Sequence, residues 1–404
     1  MPSSGSTSST AGGPPLRAEP VAIVAAGAIT PIGGDLDAFW SGLVTGTDGI
    51  SRIERFPVDD LRVGRGGEIK KLKARGGRVP GCRASQLLLA AADDLLARAP
   101  LEAPADRIGV VVGTALGGFE ELERALEPDG RLRQAAGALY DAPAHALARR
   151  LGARGPVLTV STACASGATA LGVAADLLRA GQADRVVAGG YDILCRFVMR
   201  GFDALRALTR ERVRPFDRRR SGLLLGEGAA LVLLARDRDA CGQRLGRLLG
   251  HASTSDGTHL TAPDPDGRGL DVAIRSALES AGLAPSDIDF VSAHGTGTPL
   301  NDRIETAVLK RVLGARAGAV PVNSIKGGLG HTMGAAAALE AIMCLLASRE
   351  GVIPHTLGLE ERDPACDLDY VIAAPRAARP RVSLSTSQGF GGCNAALLLE
   401  GGAS

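Results

Sequence analysis

Short apolar runs alternate with Ala-, Gly- and Leu-rich helical stretches along almost the whole chain. Val21–Ala25, Ile108–Gly113, Val157–Val160, Arg185–Gly189 and Ala229–Leu234 have the compact, branched or small apolar pattern of strands buried on both faces. Helical stretches lie between them, Ala84–Ala97 and Cys164–Ala180 among them. After His251 the order recurs: helix Leu270–Ala281, strand Ile288–Ala293, helix Asp302–Leu313, strand Val320–Ser324, helix Met333–Ala347, then strands Val382–Ser385 and Ala395–Leu399. Such alternation predicts an α/β fold with mainly parallel sheets covered by helices.

A faint internal repeat refines this picture. The segments beginning at Pro156 and at Pro321 both read strand, tight turn, Ala-rich helix. Two related halves would place both turns at one end of their sheets, bringing Cys164 near Lys326 and His331. With 404 residues, 45% of them hydrophobic, the chain can bury two intimately packed halves. The expected division is a leader over residues 1–18, an N-terminal half over 19–250 and a C-terminal half over 251–404. The leader is rich in Ser, Gly, Thr and Pro, lacks the basic start and apolar core of a signal peptide, and reads as disordered.

Composition removes several function classes. Net charge is +2, so no global field points to nucleic acid or membrane, and the few aromatics offer no stacking platform for bases. The longest apolar run, Leu223–Ala235, is broken by Gly226-Glu227-Gly228 and does not reach transmembrane character. Seven cysteines, at 82, 164, 195, 241, 344, 366 and 393, show neither a disulfide framework nor metal-ligand spacing, so a reducing, cytoplasmic setting is expected. Basic residues cluster at Lys70–Arg75 and from Arg206 to Arg220.

Candidate chemistry sits in the turns that follow strands. Cys164 falls where the Val157–Val160 strand becomes a helix, among the small residues Ala163, Ala165, Ser166 and Gly167. Unpaired backbone N–H groups and the positive end of the helix dipole favour a thiolate there. A buried structural cysteine is the alternative, and this turn alone does not decide between them. His294 follows the strand Ile288–Ala293 in a Gly/Thr-rich loop, and Lys326 and His331 lie five residues apart in another strand-to-helix turn. The chain has 46 basic residues but only five lysines, so a lysine kept at 326 points to a place where the arginine fork does not fit. A cysteine and two histidines in such loops are the parts a thioester-handling enzyme needs.

The cysteine turn, His294 through Pro299, Lys326 with His331, and Gly389-Phe-Gly-Gly392 resemble the β-ketoacyl-[acyl-carrier-protein] synthases of the elongating type, over about Val21 to Leu399. Val187–Gly190, Arg214–Asp217, Gly226–Gly228 and Ser255–Pro263 resemble family segments in the same order. The resemblance implies the thiolase-like five-layer αβαβα fold and decarboxylative condensation of a Cys164-bound acyl group with malonyl-carrier protein. It implies His294 and His331 as hydrogen-bond donors to the malonyl thioester oxygen. It implies the backbone N–H groups of Cys164 and Phe390 as oxyanion donors, with Phe390 also gating the acyl pocket. Lys326 is expected to orient the site and to pair with Glu305. Thr296, Thr298 and Thr261 are expected to bind pantetheine, and Arg206, Arg210 and Arg212 to dock an acidic acyl carrier protein. No cofactor and no metal are required, although Glu340 and Asn394 are candidates for the monovalent-ion site of some relatives. A dimer through the central sheet is implied, as a homodimer or with a ketosynthase-like partner.

Departures from the family pattern bear on the pocket. Gln388 stands where a bulky apolar residue is usual, Cys393 replaces Thr, Asn301 replaces a Gly, Arg83 replaces an Asp, and the stretch between Gly117 and Arg154 is short. These favour specialised, polyketide-like synthesis over a housekeeping fatty-acid enzyme. Two other readings stand beside the condensing enzyme: a non-condensing thiolase-fold acyltransferase, and a subunit of a ketosynthase/chain-length-factor heterodimer.

Overall fold

The computed structural model describes residues 18–72, 82–240 and 244–402. The leader (Ala18 excepted), Lys73 and Arg75 of the lysine cluster, and Cys241 lie outside the described residues.

Eleven strands form one mixed sheet: β1 (Val21–Ile29), β2 (Ile108–Gly113), β3 (Val157–Val160), β4 (Arg185–Asp192), β5 (Gly228–Arg236), β6 (Gly246–Ser255), β7 (Phe290–Ser292), β8 (Pro321–Asn323), β9 (Asp369–Tyr370), β10 (Val382–Gly389) and β11 (Cys393–Gly401). The spatial order is β9-β8-β7-β10-β11-β6-β1-β5-β4-β2-β3. Taken half by half, this is one arrangement used twice. In β1–β5 the order is third, second, fourth, fifth, first. The C-terminal strands β6, β7, β8, β10 and β11 repeat that order, with β9 added at the edge. Directions repeat as well. β2, β3 and β4 are parallel, as are β7, β8 and β10, whereas β1/β5, β5/β4, β6/β11 and β11/β10 are antiparallel. Three residue pairs, Val21–Leu248 to Ile23–Gly246, join β1 to β6 and make the two sheets continuous at that seam. The faint repeat around residues 156 and 321 is thus the visible trace of duplicated topology.

Helices supply the other layers. α1 (Arg83–Leu96) and α2 (Ala142–Leu151) cover the outer face of the N-terminal sheet. α3 (Ser166–Arg179) lies between the sheets and touches strands of both. α4 (Arg268–Ala281) and α5 (Pro299–Leu313) cover the outer face of the C-terminal sheet. α6 (Ala336–Glu350) shares the middle layer with α3, and every residue from Ala336 to Ser348 is buried. A helix apolar all round has no solvent face to offer, so its sequence dictates this central position. Each fully buried Leu or Ile on it, such as Leu339 or Ile342, contributes about 1.5–3 kcal/mol.

Two details differ from the sequence expectation. The last predicted helix begins not at Met333 but at Ala336, because Met333–Ala335 is a separate 3₁₀ turn with Met333 at φ +50°. Val157–Val160 is not a buried strand: β3 ends the sheet, its residues are half-buried, and Leu158 is 40% exposed. Its apolar run suits a covered strand, yet among the described residues no strand pairs beyond it. Among the described residues, no helix is long and apolar enough to cross a membrane.

Candidate active site

Both strand-to-helix turns open at the same end of the molecule, on either side of the middle layer. Cys164 precedes the first residue of α3 by two positions, and Ala163 before it has φ +49°, a left-handed conformation uncommon for a residue with a Cβ. The β10–β11 hairpin presses on this turn. A Cβ placed on Gly389 would lie 2.9 Å from the Cys164 nitrogen, so only glycine lets the two backbones meet. With the two backbones so close, the Phe390 backbone N–H favours the charged form of the Cys164 sulfur. The Phe390 ring stacks on Phe202, centroids 5.3 Å apart.

The C-terminal half delivers the imidazoles. Glu305, on α5, accepts the backbone N–H groups of His294 (2.7 Å) and Gly295 (2.9 Å) and the Thr386 hydroxyl (2.7 Å), which fixes the His294 loop against β10. Asp302, one turn earlier on α5, accepts from Gly297 and from Phe216 (2.7 Å) and holds the far side of that loop. His331 is pinned by its backbone: its N–H donates to Leu224 (2.7 Å), and its carbonyl accepts from Gly226 (3.0 Å). Its rear is fixed by Asp192, whose Oδ2 accepts the Gly334 N–H (2.6 Å) while the same carboxylate accepts from Thr114, Ala115 and Leu116. Asp192 therefore ties the turn after His331 to the end of β2. The two imidazoles meet edge to face, ring centroids 5.2 Å apart.

Cys164, His294, His331, Thr296, Thr298, Thr261, Phe390 and Arg206 all line one cavity of about 410 Å³. Thr296 and Thr298 hydroxyls lie 3.0 Å apart in it. Leu205 and Leu300, each about half exposed, also line it and give it an apolar lip beside the exposed Arg206. Lys326 and Glu305 are buried behind the cavity rather than on its wall. Arg210 is exposed and does not line it, and Arg212 is held by Glu360 at 3.5 Å.

The expected Lys326–Glu305 pair does not form. Lys326 Nζ bonds to Glu340 on α6, while both Glu305 oxygens are taken up by backbone N–H groups. Glu340 carries no loop motif and sits in an apolar helix; the family resemblance marked it as a monovalent-ion candidate and not as the partner of Lys326. Asp192, at the end of β4, carries no sequence signal of its bracing role. Arg83, which breaks the family pattern, pairs with the buried Glu227 at 2.5 Å and shares that carboxylate with Arg55 at 3.9 Å, so the unusual residue adds a second counter-charge to a buried acid. Asn394 Nδ2 donates to Asp256 (2.8 Å) and Gly392 (3.0 Å).

Burial dominates the electrostatics. It pushes the Cys164 thiol up to about 12, against the pull of the Lys326 ammonium and the Phe390 N–H. The helix-end argument expected a resting thiolate; the enclosed site instead holds a thiol, which must pass its proton to a base as it attacks. Burial, reinforced by Lys326, drives both His294 and His331 well below the usual imidazole range, so both are neutral near pH 7. His294 Nδ1 and both ring nitrogens of His331 are buried with no partner among the described residues. Neutral imidazoles with unengaged nitrogens can accept the thiol proton and donate to a substrate oxygen. Burial also raises Glu340 to about 7, with Lys326 opposing. Glu340→Gln, which leaves the buried ammonium without its counter-charge, is expected to cost roughly 3–5 kcal/mol in a denaturant titration. Lys326→Met with Glu340→Met should recover much of that loss, because neither charge then remains.

A duplicated, thiolase-like α/β architecture that places a buried thiol and two neutral imidazoles on one cavity defines the class: an enzyme that holds acyl groups on sulfur. The chain belongs to the β-ketoacyl synthase family, whose N-terminal domain matches residues 18–240 and whose C-terminal domain matches residues 245–360. It is 37% identical over 410 residues to 3-oxoacyl-[acyl-carrier-protein] synthase 2 of Synechocystis sp., covering 95% of this chain and 99% of that one. To the tetracenomycin polyketide synthase ketoacyl synthase alpha subunit of Streptomyces glaucescens it is 38% identical over 412 residues, 94% and 96% of the two chains. The solved ishigamide ketosynthase/chain length factor superposes with a TM-score of 0.90 at 33% identity, over 95% of this chain and 99% of that one.

Proposed function

We propose that this protein is a condensing enzyme that joins an acyl group to a malonyl unit carried by acyl carrier protein, with loss of CO2. The observation that carries this reading is the shared wall of one cavity: Cys164 together with two neutral, edge-to-face imidazoles. Cys164 Sγ attacks the acyl thioester carbonyl, and the carrier thiol leaves with the proton. Backbone N–H groups of Cys164 and Phe390 hold the oxyanion. Malonyl-carrier protein then enters, CO2 departs, and His294 and His331 donate to the thioester oxygen on which the enolate charge develops. The enolate carbon attacks the acyl-Cys carbonyl, the C–S bond breaks, and a β-ketoacyl chain two carbons longer remains on the carrier. Lys326 touches no substrate; burial, with its charge in support, keeps both imidazoles neutral and therefore able to serve in these roles.

Thr296, Thr298 and Thr261 line the path of the pantetheine arm, and Arg206 with the Leu205–Leu300 lip receives an acidic carrier protein; Arg210 and Arg212 extend that basic surface. The nucleophile belongs to residues 19–250 and the His/Lys/His set to residues 251–404. The bare edge strand β3 with its exposed Leu158 supports a dimer through the sheet, with a second copy or with a ketosynthase-like partner. The polar Gln388 in the cavity wall supports a specialised, polyketide-like role, and the chain is assigned to the cytoplasm. Incubation with acyl- and malonyl-carrier proteins should yield the β-ketoacyl product and one CO2 per turnover. Acyl transfer without CO2 would favour the non-condensing acyltransferase instead.

A further inference from the structure

One wall of the cavity carries a polar group that the protein leaves unsatisfied. Gln388, next to Gly389 at the end of β10, is 7% exposed and lines the cavity that holds Cys164. Its Oε1 is buried and accepts no hydrogen bond from any of the described residues. The neighbours that would serve it are engaged elsewhere. Thr386, on the same face of β10, donates to Glu305, and Asn394, opposite Gln388 across the hairpin, donates to Asp256 and Gly392. Buried amide oxygens without a donor are rare, and a wall shaped for a plain alkyl chain is better lined by an apolar side chain.

Building on the condensing reading above, we infer that Gln388 is a specificity-determining residue whose Oε1 accepts a hydrogen bond from a hydroxyl on the acyl chain held by Cys164. The preferred acyl donors are therefore hydroxylated acyl thioesters rather than saturated alkyl ones. The hydroxyl lies near the thioester, because Gln388 directly precedes the glycine that packs on the Cys164 backbone. A hydroxyl suits an amide because it donates to the oxygen and can also accept from the NH2.

The test follows Cys164 loading by intact-protein mass spectrometry. The donors are 3-hydroxyacyl- and 5-hydroxyacyl-carrier proteins and the unsubstituted acyl-carrier protein of equal length. The wild-type protein should load one of the hydroxylated chains about tenfold faster than the alkyl chain. Gln388→Leu and Gln388→Met should each bring that ratio to about one or below, and the ratio within each variant is independent of how much protein folds. A wild-type preference for the alkyl chain overturns the inference. So does a ratio untouched by either substitution, or an equal fall for all donors, which would place Gln388 on the shared pantetheine arm. Absence of any adduct on Cys164 would overturn the condensing reading itself and this inference with it.

Discussion

Cys164→Ala should take up no acyl group from any acyl-carrier protein, and turnover should fall by about 10⁴-fold or more. The size of the effect follows from the site. Six cysteines of the chain are free and described, yet Cys164 alone among them combines a strand-to-helix turn with a place on the cavity wall. Cys344 and Cys366 are buried away from that wall, and their thiols are pushed up by burial with no compensating role. Intact-protein mass spectrometry reads the result directly. An acyl adduct persisting in the variant, on the half-buried Cys393 for instance, would show that the nucleophile lies elsewhere.

His294→Ala and His331→Ala should each lower decarboxylation of malonyl-carrier protein by about 10²–10³-fold, the usual loss when one donor to a developing oxyanion is removed from an enclosed site. Their effects should not multiply in the double variant, because both rings act on one oxygen. Release of labelled CO2 measures this step. Both imidazoles are held neutral by burial and by Lys326, so the rate should not fall as pH rises from 6 to 8 through the ordinary imidazole range. A fall in rate with its midpoint near 6.5 would mean that a charged imidazole does the work.

Much of this was legible in the sequence, for identifiable reasons. Strand-to-helix turns announce themselves through Gly and small residues, and Cys164, His294 and His331 all sit in such turns. The alternation of apolar runs and helices foretold layers, and the weak echo between residues 156 and 321 reflected a strand order used twice. Long-range polar pairing was not legible. Periodicity gives no sign that Lys326 would choose Glu340 over Glu305, because the choice depends on backbone N–H groups at 294 and 295 claiming Glu305 first. Nor does local sequence reveal that β3 ends the sheet or that Asp192 braces the turn behind His331, since both depend on which strands become neighbours. The thiolate expectation failed for a related reason: a helix end can be seen in a sequence, whereas the depth of burial above it cannot.

The most direct test uses Cys164→Gln, whose side-chain carbonyl stands where an acyl thioester carbonyl would lie. CO2 release from malonyl-carrier protein should continue in this variant without any condensation product, and should disappear when His294 and His331 are both changed to alanine as well. No CO2 from Cys164→Gln, or CO2 release indifferent to the loss of both imidazoles, would contradict the claim that one sulfur and two neutral histidines form a single condensing site.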